Sequence, residues 1–256
     1  MTLTLSGKRI VITRPATQAQ SLIDNLRSFE AVPILFPTIQ IAPIQNNPAL
    51  DLALNHLSHY DWVVFTSANG VRVVVDRLAS LGMEATVLNA ASIAAIGPAT
   101  ATALQDQAVR VDLQPVEYVA EAIFDELQRR GTVTNNRFLL LRADIARATL
   151  RKQLIAAGAA VEELPIYHTV CGVPDPAAFV ELRQGVDMIT FTSSSTIRYF
   201  FELLPDALEF AAQARIVCIG PITAQTARDY GLNVALVAES YTVEGLMTAL
   251  LQPLEP

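Results

Sequence analysis

Ile216-Val-Cys-Ile-Gly-Pro-Ile-Thr-Ala-Gln-Thr-Ala-Arg-Asp-Tyr-Gly231 reads as one βα unit. Residues 216–219 form a short unbroken apolar run, as in a strand buried on both faces. Gly220-Pro221 breaks the run, Thr223 stands where a helix cap is expected, and Gly231 ends the helix. An earlier stretch repeats the unit. Ile96-Gly97-Pro98 matches Ile219-Gly220-Pro221, Thr100-Ala101 matches Thr223-Ala224, and Tyr118 and Glu121 match Tyr241 and Glu244. Between residues 93–127 and 216–250, 12 of 35 positions are identical without a gap. Shared composition supplies a few Ala or Leu matches, but not Gly-Pro-x-Thr-Ala and Tyr-x-x-Glu in register. The chain is an internal duplication, and its function is expected between the two halves.

Outward from this unit, the rest of the chain follows the same alternation. Residues 8–13 read as a strand, Arg14-Pro15 as a turn, and 18–29 as a helix. A strand over 32–35 runs into Phe36-Pro37-Thr-Ile-Gln-Ile-Ala-Pro43, whose alternation between bracketing prolines fits a lone extended linker. A helix over 48–57, a strand from Asp61, a helix to Leu81, the unit at Ile93, a strand over 109–113 and a helix over 118–130 complete the first copy. The second copy starts at Arg137, with Arg142 in the place of Arg14 and a helix over 146–157. Pro165 falls on Pro37, and Phe191-Thr192-Ser193 falls on Phe65-Thr66-Ser67. Tandem βα units with apolar strands imply α/β architecture: parallel sheets with helices on both faces.

The 256 residues suit one large or two medium domains, and at 52% hydrophobic they can bury sizeable cores. No apolar run reaches the roughly 18 residues of a membrane span, and the first residues lack signal-peptide features, so a soluble cytoplasmic protein is expected. The net charge of −7 argues against nucleic-acid and anionic-membrane partners. Cys171 and Cys218 are too few for a metal cluster, and Cys218 falls in a buried strand, where a free thiol acts as a small hydrophobe. Of 18 basic residues only Lys8 and Lys152 are lysine. Arginine suits carboxylates, but codon bias accounts more simply for the total.

In such sheets ligands bind beyond the carboxyl ends of the strands. Those ends carry Thr13-Arg14, Thr66-Ser67-Ala68-Asn69 and Gly97-Pro98-Ala99-Thr100, with twins Leu141-Arg142, Thr192-Ser193-Ser194-Ser195 and Gly220-Pro221-Ile222-Thr223. Helix starts there would hold anions through unpaired N–H groups. For any single turn, ordinary capping is the simpler account. Repetition of two turn types in both halves favours a binding cleft.

Catalytic constellations are sparse. No dinucleotide or Walker-type glycine motif follows a strand. His56 and His59 read as a solvated helix face rather than a metal site, His168 has no visible partner, and Ser193, Ser194 and Ser195 lack an evident base. A cleft with little acid–base machinery implies that the protein controls ligand conformation.

Together these marks resemble the uroporphyrinogen-III synthase family over residues 7–251: Thr13-Arg14-Pro15, Phe65-Thr66-Ser67, Ile96-Gly97-Pro98-x-Thr100, Leu164-Pro-Ile-Tyr-His-Thr169, Phe191-Thr-Ser-Ser194, Ile219-Gly-Pro-x-Thr223 and Tyr241-Thr-Val-Glu-Gly245. The resemblance implies two flavodoxin-like doubly wound parallel-sheet domains with swapped connectivity. One would hold 1–36 and 172–256, the other 43–163, with 37–42 and 164–171 as a two-stranded connector. It implies cyclisation of hydroxymethylbilane, a linear tetrapyrrole with eight carboxylates, to uroporphyrinogen III with ring D inverted and water lost. No cofactor and no metal are implied, and the protein would act as a monomer. Tyr167 would be the catalytic residue. From the strand-end turns read above, Thr66, Ser67, Asn69, Gly97, Thr100, Ser193, Ser194, Ser195, Gly220, Pro221 and Thr223 would bind the substrate, and Arg14 and Arg142, which the resemblance does not itself supply, would pair with its carboxylates. Arg72 and Arg198 are further candidate carboxylate partners. The rival reading is a non-catalytic two-lobed binder of a small anion.

Overall fold

The computed structural model describes residues 5–145 and 148–252. Along the chain run β1 (Arg9–Ile12), α1 (Gln20–Ser28), β2 (Val32–Leu35), β3 (Ile39–Pro43), α2 (Pro48–Asn55), β4 (Trp62–Phe65), α3 (Ala68–Ser80), β5 (Ser92–Ala95), α4 (Pro98–Gln105) and α5 (Ala120–Arg129). There follow β6 (Arg137–Ala143), α6 (Thr149–Ala156), β7 (Ala160–Cys171), α7 (Pro176–Arg183), β8 (Met188–Phe191) and α8 (Ser194–Leu203). The last elements are α9 (Ala207–Ala211), β9 (Arg215–Cys218), α10 (Pro221–Asp229), β10 (Val234–Val237) and α11 (Val243–Leu250). Two compact units result: unit 1 comprises Met1–Gln40 with Val170–Pro256, and unit 2 comprises Ile41–Thr169. Of the sequence-based ranges, residues 1–4, 253–256 and the start of the 146–157 helix lie outside the described residues.

Each sheet has five strands, ordered β10-β9-β8-β1-β2 and β3-β7-β6-β4-β5. Parallel pairing joins β10, β9, β8, β1 and β2 in the first, and β7, β6, β4 and β5 in the second. Each sheet therefore draws strands from both halves of the sequence. Parallel strands need crossovers, and the intervening helices supply them, covering both faces.

The alternation of side chains is visible in the cores. In unit 1, Val11, Ile189, Phe191, Ile216 and Cys218 pack with α7, α8, α9 and α10 on one face. Ile10, Ile12, Met188 and Val217 pack with α1 and α11 on the other. In unit 2, Val63, Phe65, Ile93, Leu139 and Leu141 face α2, α3 and α4. Trp62, Val64, Ala94, Phe138 and Leu140 face α5 and α6. Both faces are buried, which is why these strands read as unbroken apolar runs. Cys218 behaves as expected, a free thiol in the strand whose pKa burial pushes up to about 12.

Three local expectations are corrected. Residues 109–113 form no strand: Leu113 makes a single bridge to Ala94, while the Asp112 carboxylate accepts the Ile93 N–H at 2.8 Å where a strand carbonyl would. The second helix ends at Asn55, so His56 caps it and His59 lies in a 3-10 turn. Thr223 does not cap α10. Pro221, with no N–H to offer, occupies the first helical turn, so the cap falls to Gly220, and Thr223 is buried at 5% exposure inside the helix.

β7 is longer than the linker expected at 164–171, running unbroken for 12 residues. It pairs with β6 from Ala160 onward, and the register slips between Arg142 and Ala143, opposite Pro165 and Tyr167. Pro165 cannot donate to the ladder, which accounts for the irregularity there.

Candidate functional site

The repeated Gly-Pro and Tyr-x-x-Glu motifs prove to be one device. At Gly97 an added Cβ would lie 3.0 Å from the Tyr118 ring, and at Gly220 3.1 Å from the Tyr241 ring. The backbone at Gly220 is extended, with φ −175°, so glycine is needed for the ring's approach rather than for backbone freedom. Each tyrosine thus closes over the turn that begins α4 or α10. Thr100, like Thr223, is buried three residues into its helix, at 3% exposure.

The second turn type is a serine cap in both units. The Ser67 Oγ accepts from the Gly70 N–H at 3.0 Å at the start of α3. The Ser193 Oγ accepts from the Thr196 N–H at 3.2 Å at the start of α8, and the Thr196 hydroxyl answers it in a capping box. Beside these caps Arg72 donates to Asn69 at 3.4 Å, and Arg198 donates to Ser195 at 3.3 Å. Ser194 and Thr226 share a hydroxyl–hydroxyl bond of 2.7 Å that ties α8 to α10. Thr66 and Arg14 are half-buried, and Pro221 is exposed. The structure thus groups Arg14, Ser193, Ser194, Ser195, Gly220, Pro221 and Thr223 in unit 1. Thr66, Ser67, Asn69, Gly97, Thr100, Arg142 and Tyr167 fall in unit 2.

Tyr167 sits on β7 at 5% exposure, its phenol 2.8 Å from the Ser67 Oγ. The phenol therefore stands at the start of α3, beside N–H groups that carry partial positive charge. Burial raises its pKa, outweighing the lowering from the Ser67 hydrogen bond, so the phenol stays protonated at neutral pH. Tyr60, the other buried tyrosine here, is committed elsewhere. Its hydroxyl donates to Glu162 at 2.5 Å, and burial together with that carboxylate pushes its pKa up to about 12.

Two groupings escaped the sequence reading. His168, adjoining Tyr167, meets the Asp144 carboxylate at 2.7 Å, and the Asp144 N–H donates to the Tyr167 carbonyl at 3.1 Å. Arg142 is 4% exposed and donates to the Glu163 carboxylate at 2.7 Å, with Arg151 3.6 Å from the other oxygen. Nothing in the spacing of Arg142 and Glu163 marks them as partners; the pairing of β6 with β7 creates it. Among the described residues no three His, Cys, Asp or Glu side chains converge as metal ligands, and no helix is long and apolar enough to cross a membrane.

Two parallel α/β units with polar, helix-starting turns at their carboxyl ends define a protein of the doubly wound class. Residues 20–248 match the family model described as uroporphyrinogen-III synthase HemD. The chain is 34% identical to the uroporphyrinogen-III synthase of Synechococcus elongatus, covering 97% of this chain and 96% of that one. It is 30% identical to a putative uroporphyrinogen-III synthase of Methanocaldococcus jannaschii over 94% of this chain and 97% of that one. In fold it is similar to the uroporphyrinogen III synthase of Thermus thermophilus, with TM-score 0.64 at 18% identity over 95% of this chain and 97% of that one. The corresponding Helicobacter pylori structure gives TM-score 0.60 at 17% identity over 96% and 98%. The chain belongs to the uroporphyrinogen-III synthase family.

Proposed function

We propose that the protein converts hydroxymethylbilane to uroporphyrinogen III, inverting ring D and releasing water. The observation that carries this reading is family membership across nearly the whole chain, together with a buried phenol seated at a helix start. In this reading Tyr167 donates its proton to the departing hydroxyl while a pyrrole nitrogen's electron pair expels it, leaving an azafulvene cation. The substituted carbon of ring D attacks the cation to give a spiro intermediate, which fragments and recloses with ring D turned over. Uncatalysed closure without inversion competes, so holding the chain's geometry is the enzyme's main contribution.

The eight carboxylates would be held by the helix-start turns of each unit: Arg14, Ser193, Ser194, Ser195, Gly220 and Pro221 from unit 1, and Thr66, Ser67, Asn69 and Gly97 from unit 2. Thr100, Thr223 and Arg142 lie deeper and would act by fixing those turns. With a net charge of −7, the protein must rely on such local donors to bind a polyanion. The two units would be domains with exchanged connections: 1–36 with 172–256, 43–163, and a connector of 37–42 and 164–171. The enzyme would work as a cytoplasmic monomer without a cofactor.

The deciding experiment is incubation with hydroxymethylbilane, oxidation, and separation of the porphyrin isomers. Isomer III in excess over isomer I is expected, and full activity after chelation and dialysis. Isomer I alone, at the uncatalysed rate, would leave only an anion binder.

A further inference from the structure

At the amino end of the unit 1 sheet, opposite the turns described above, lies a cavity of about 340 Å³. Leu208, Ala211, Ala214 and Leu232 give it an apolar wall, and Asn233 and Arg215 contribute its polar groups. Arg215 opens β9, so its backbone is fixed by the sheet: its N–H donates to the Asp187 carbonyl at 2.9 Å. The Nε and Nη2 of its guanidinium are buried and meet no hydrogen-bond acceptor among the described residues.

The acidic side chains of the surrounding elements are committed elsewhere. Asp187 accepts from Lys8 and from the Arg9 N–H, Asp206 accepts from Arg183, and Asp229 accepts from Gln225. Glu209 is exposed. Burial accordingly lowers the Arg215 pKa with no carboxylate to offset it. A half-buried cation with two buried, unmet donors beside an apolar void is an arrangement that an incoming anion relieves. Pocket volumes from about 300 Å³ upward hold small ligands. The ends of α9 and α10 also point toward this side, and their carbonyls carry partial negative charge. That field disfavours a multiply charged ion and leaves a single carboxylate as the matching partner for the planar guanidinium fork.

We propose that this cavity is a second binding site, for a small organic monocarboxylate whose charged end pairs with Arg215 and whose aliphatic or aromatic body lies on Leu208 and Leu232. By the alignment of the two copies, the twin of Arg215 in unit 2 is Ser92, so the site belongs to unit 1 alone.

The test is calorimetric titration of the full chain with benzoate and with hexanoate, beside benzyl alcohol, which lacks the charge, and inorganic phosphate, which lacks the apolar body. At least one carboxylate should saturate a single site with Kd on the order of 1 mM, and both controls should bind about ten-fold or more weakly. Arg215→Met should weaken the carboxylate about ten-fold or more while leaving turnover of hydroxymethylbilane unchanged. Ala235→Leu fills the cavity but keeps the guanidinium, and should do the same; it decides the matter if Arg215→Met fails to fold. Absence of saturation in the wild type would mean a merely hydrated guanidinium and overturn the proposal. So would phosphate binding as tightly as the carboxylates. Carboxylate binding retained in both variants would place the anion at the substrate turns and equally overturn it.

Discussion

In unit 1, Thr13, Thr38, Thr190 and Thr196 interlock at the carboxyl end of the sheet. The Thr13 hydroxyl donates to the Thr190 carbonyl at 2.7 Å, and that of Thr190 donates to the Val11 carbonyl at 2.8 Å. The Thr38 hydroxyl reaches the carbonyls of Thr196 and Thr13 at 2.8 and 3.2 Å. Aligned residue by residue, unit 2 carries Leu141, Ile166, Val64 and Gly70 at these places. They meet as their twins do: a Cβ on Gly70 would lie 3.4 Å from the Leu141 carbonyl and 3.7 Å from Ile166. One unit ties its strand ends together with buried hydroxyls; the other packs them with hydrocarbon. The next position differs as well. Unit 1 has Ile39, and unit 2 has Tyr167, whose phenol takes up the Ser67 hydroxyl, while Ser193 is closed in its capping box. The duplication preserved the order of four paired strands and the serine caps, and diverged at the carboxyl ends of the strands. The phenol at this position stands in unit 2 alone, and unit 1 ties the end of its sheet with hydroxyls.

The largest effect expected concerns the units themselves. A fragment of residues 1–128 contains one copy of the repeat but lacks β6 and β7 from one sheet and β8, β9 and β10 from the other. It leaves strand edges unpaired, and no cooperative unfolding transition is expected by thermal or denaturant melts. Joining 1–36 to 172–256 restores every strand of the first sheet and should recover one. A cooperative melt from 1–128 would mean that each copy can close a sheet alone, and the unit-by-unit comparison would lose its basis.

Next comes the asymmetry of the serine caps. Tyr167→Phe removes the donor and keeps the ring, so turnover should fall about 100-fold, with KM near wild type and isomer III still formed. Ser67→Ala should lower turnover by releasing the phenol, and should cost about 1 kcal/mol as a lost cap. Ser193→Ala should cost a similar amount of stability but act on KM rather than on turnover. Steady-state kinetics with isomer analysis reads all three. Tyr167→Phe at wild-type turnover would make the two units equivalent in chemistry.

The duplication, the parallel α/β architecture and the turns were legible in the sequence because each is written in contiguous residues: an apolar run, a Gly-Pro break, a helix. What those turns are made of was less legible. Tyr118 and Tyr241 could be matched in register, but not seen to lie on Gly97 and Gly220, because that contact closes only when the helix packs back on the sheet. The threonine network leaves no mark in the sequence, since Thr13 and Thr190 become neighbours only through the pairing of β1 with β8. Arg142 read as a ligand-facing arginine for the same reason; its partner Glu163 stands on the adjacent strand. Threonine suits a cap, and its position after the Gly-Pro break points to Thr223, yet the proline two residues earlier moves the cap to Gly220.

A smaller effect sharpens the contrast between hydroxyl and hydrocarbon. Thr190→Val gives unit 1 the residue of unit 2 and deletes the bond to the Val11 carbonyl, costing about 1 kcal/mol. The reverse change, Val64→Thr, buries a hydroxyl, which left unmet would cost about 1–3 kcal/mol. The twin of Val11 is Leu139, and its carbonyl should receive the new hydroxyl as Val11 receives that of Thr190. The expected cost is therefore below about 1 kcal/mol in denaturant melts. A loss of several kcal/mol on Val64→Thr would show that the two backbones differ where the alignment equates them.

The smallest effect lies at the other end of the strands. The Asp187 carboxylate accepts the Arg9 N–H at 2.8 Å and the Lys8 ammonium at 2.7 Å, whereas its twin Asp61 accepts the Arg137 N–H at 2.7 Å, with Asn136 in the place of the lysine. Burial by itself would raise the Asp187 pKa, but the Lys8 bond, the Arg9 N–H and the nearby positive charges outweigh it and hold the group below its ordinary value of 3.8. A carboxyl group whose folded pKa is depressed stabilises the fold fully above its unfolded pKa, and loses that contribution as pH falls through the folded value. No dependence from this group is expected between about pH 5 and 8, and its share is withdrawn only below about pH 4. With the carboxylate 33% exposed, solvent screening limits the lysine's part to less than about 1 kcal/mol. Lys8→Met should therefore raise the midpoint of acid unfolding by a few tenths of a pH unit, and 1 M salt should erase most of the difference, because the Debye length then falls to about 3 Å. Lys8→Met without any change in the acid midpoint at low salt would leave Arg9, through its N–H and its charge, as the source of the depression, and the two aspartates would then be the same device.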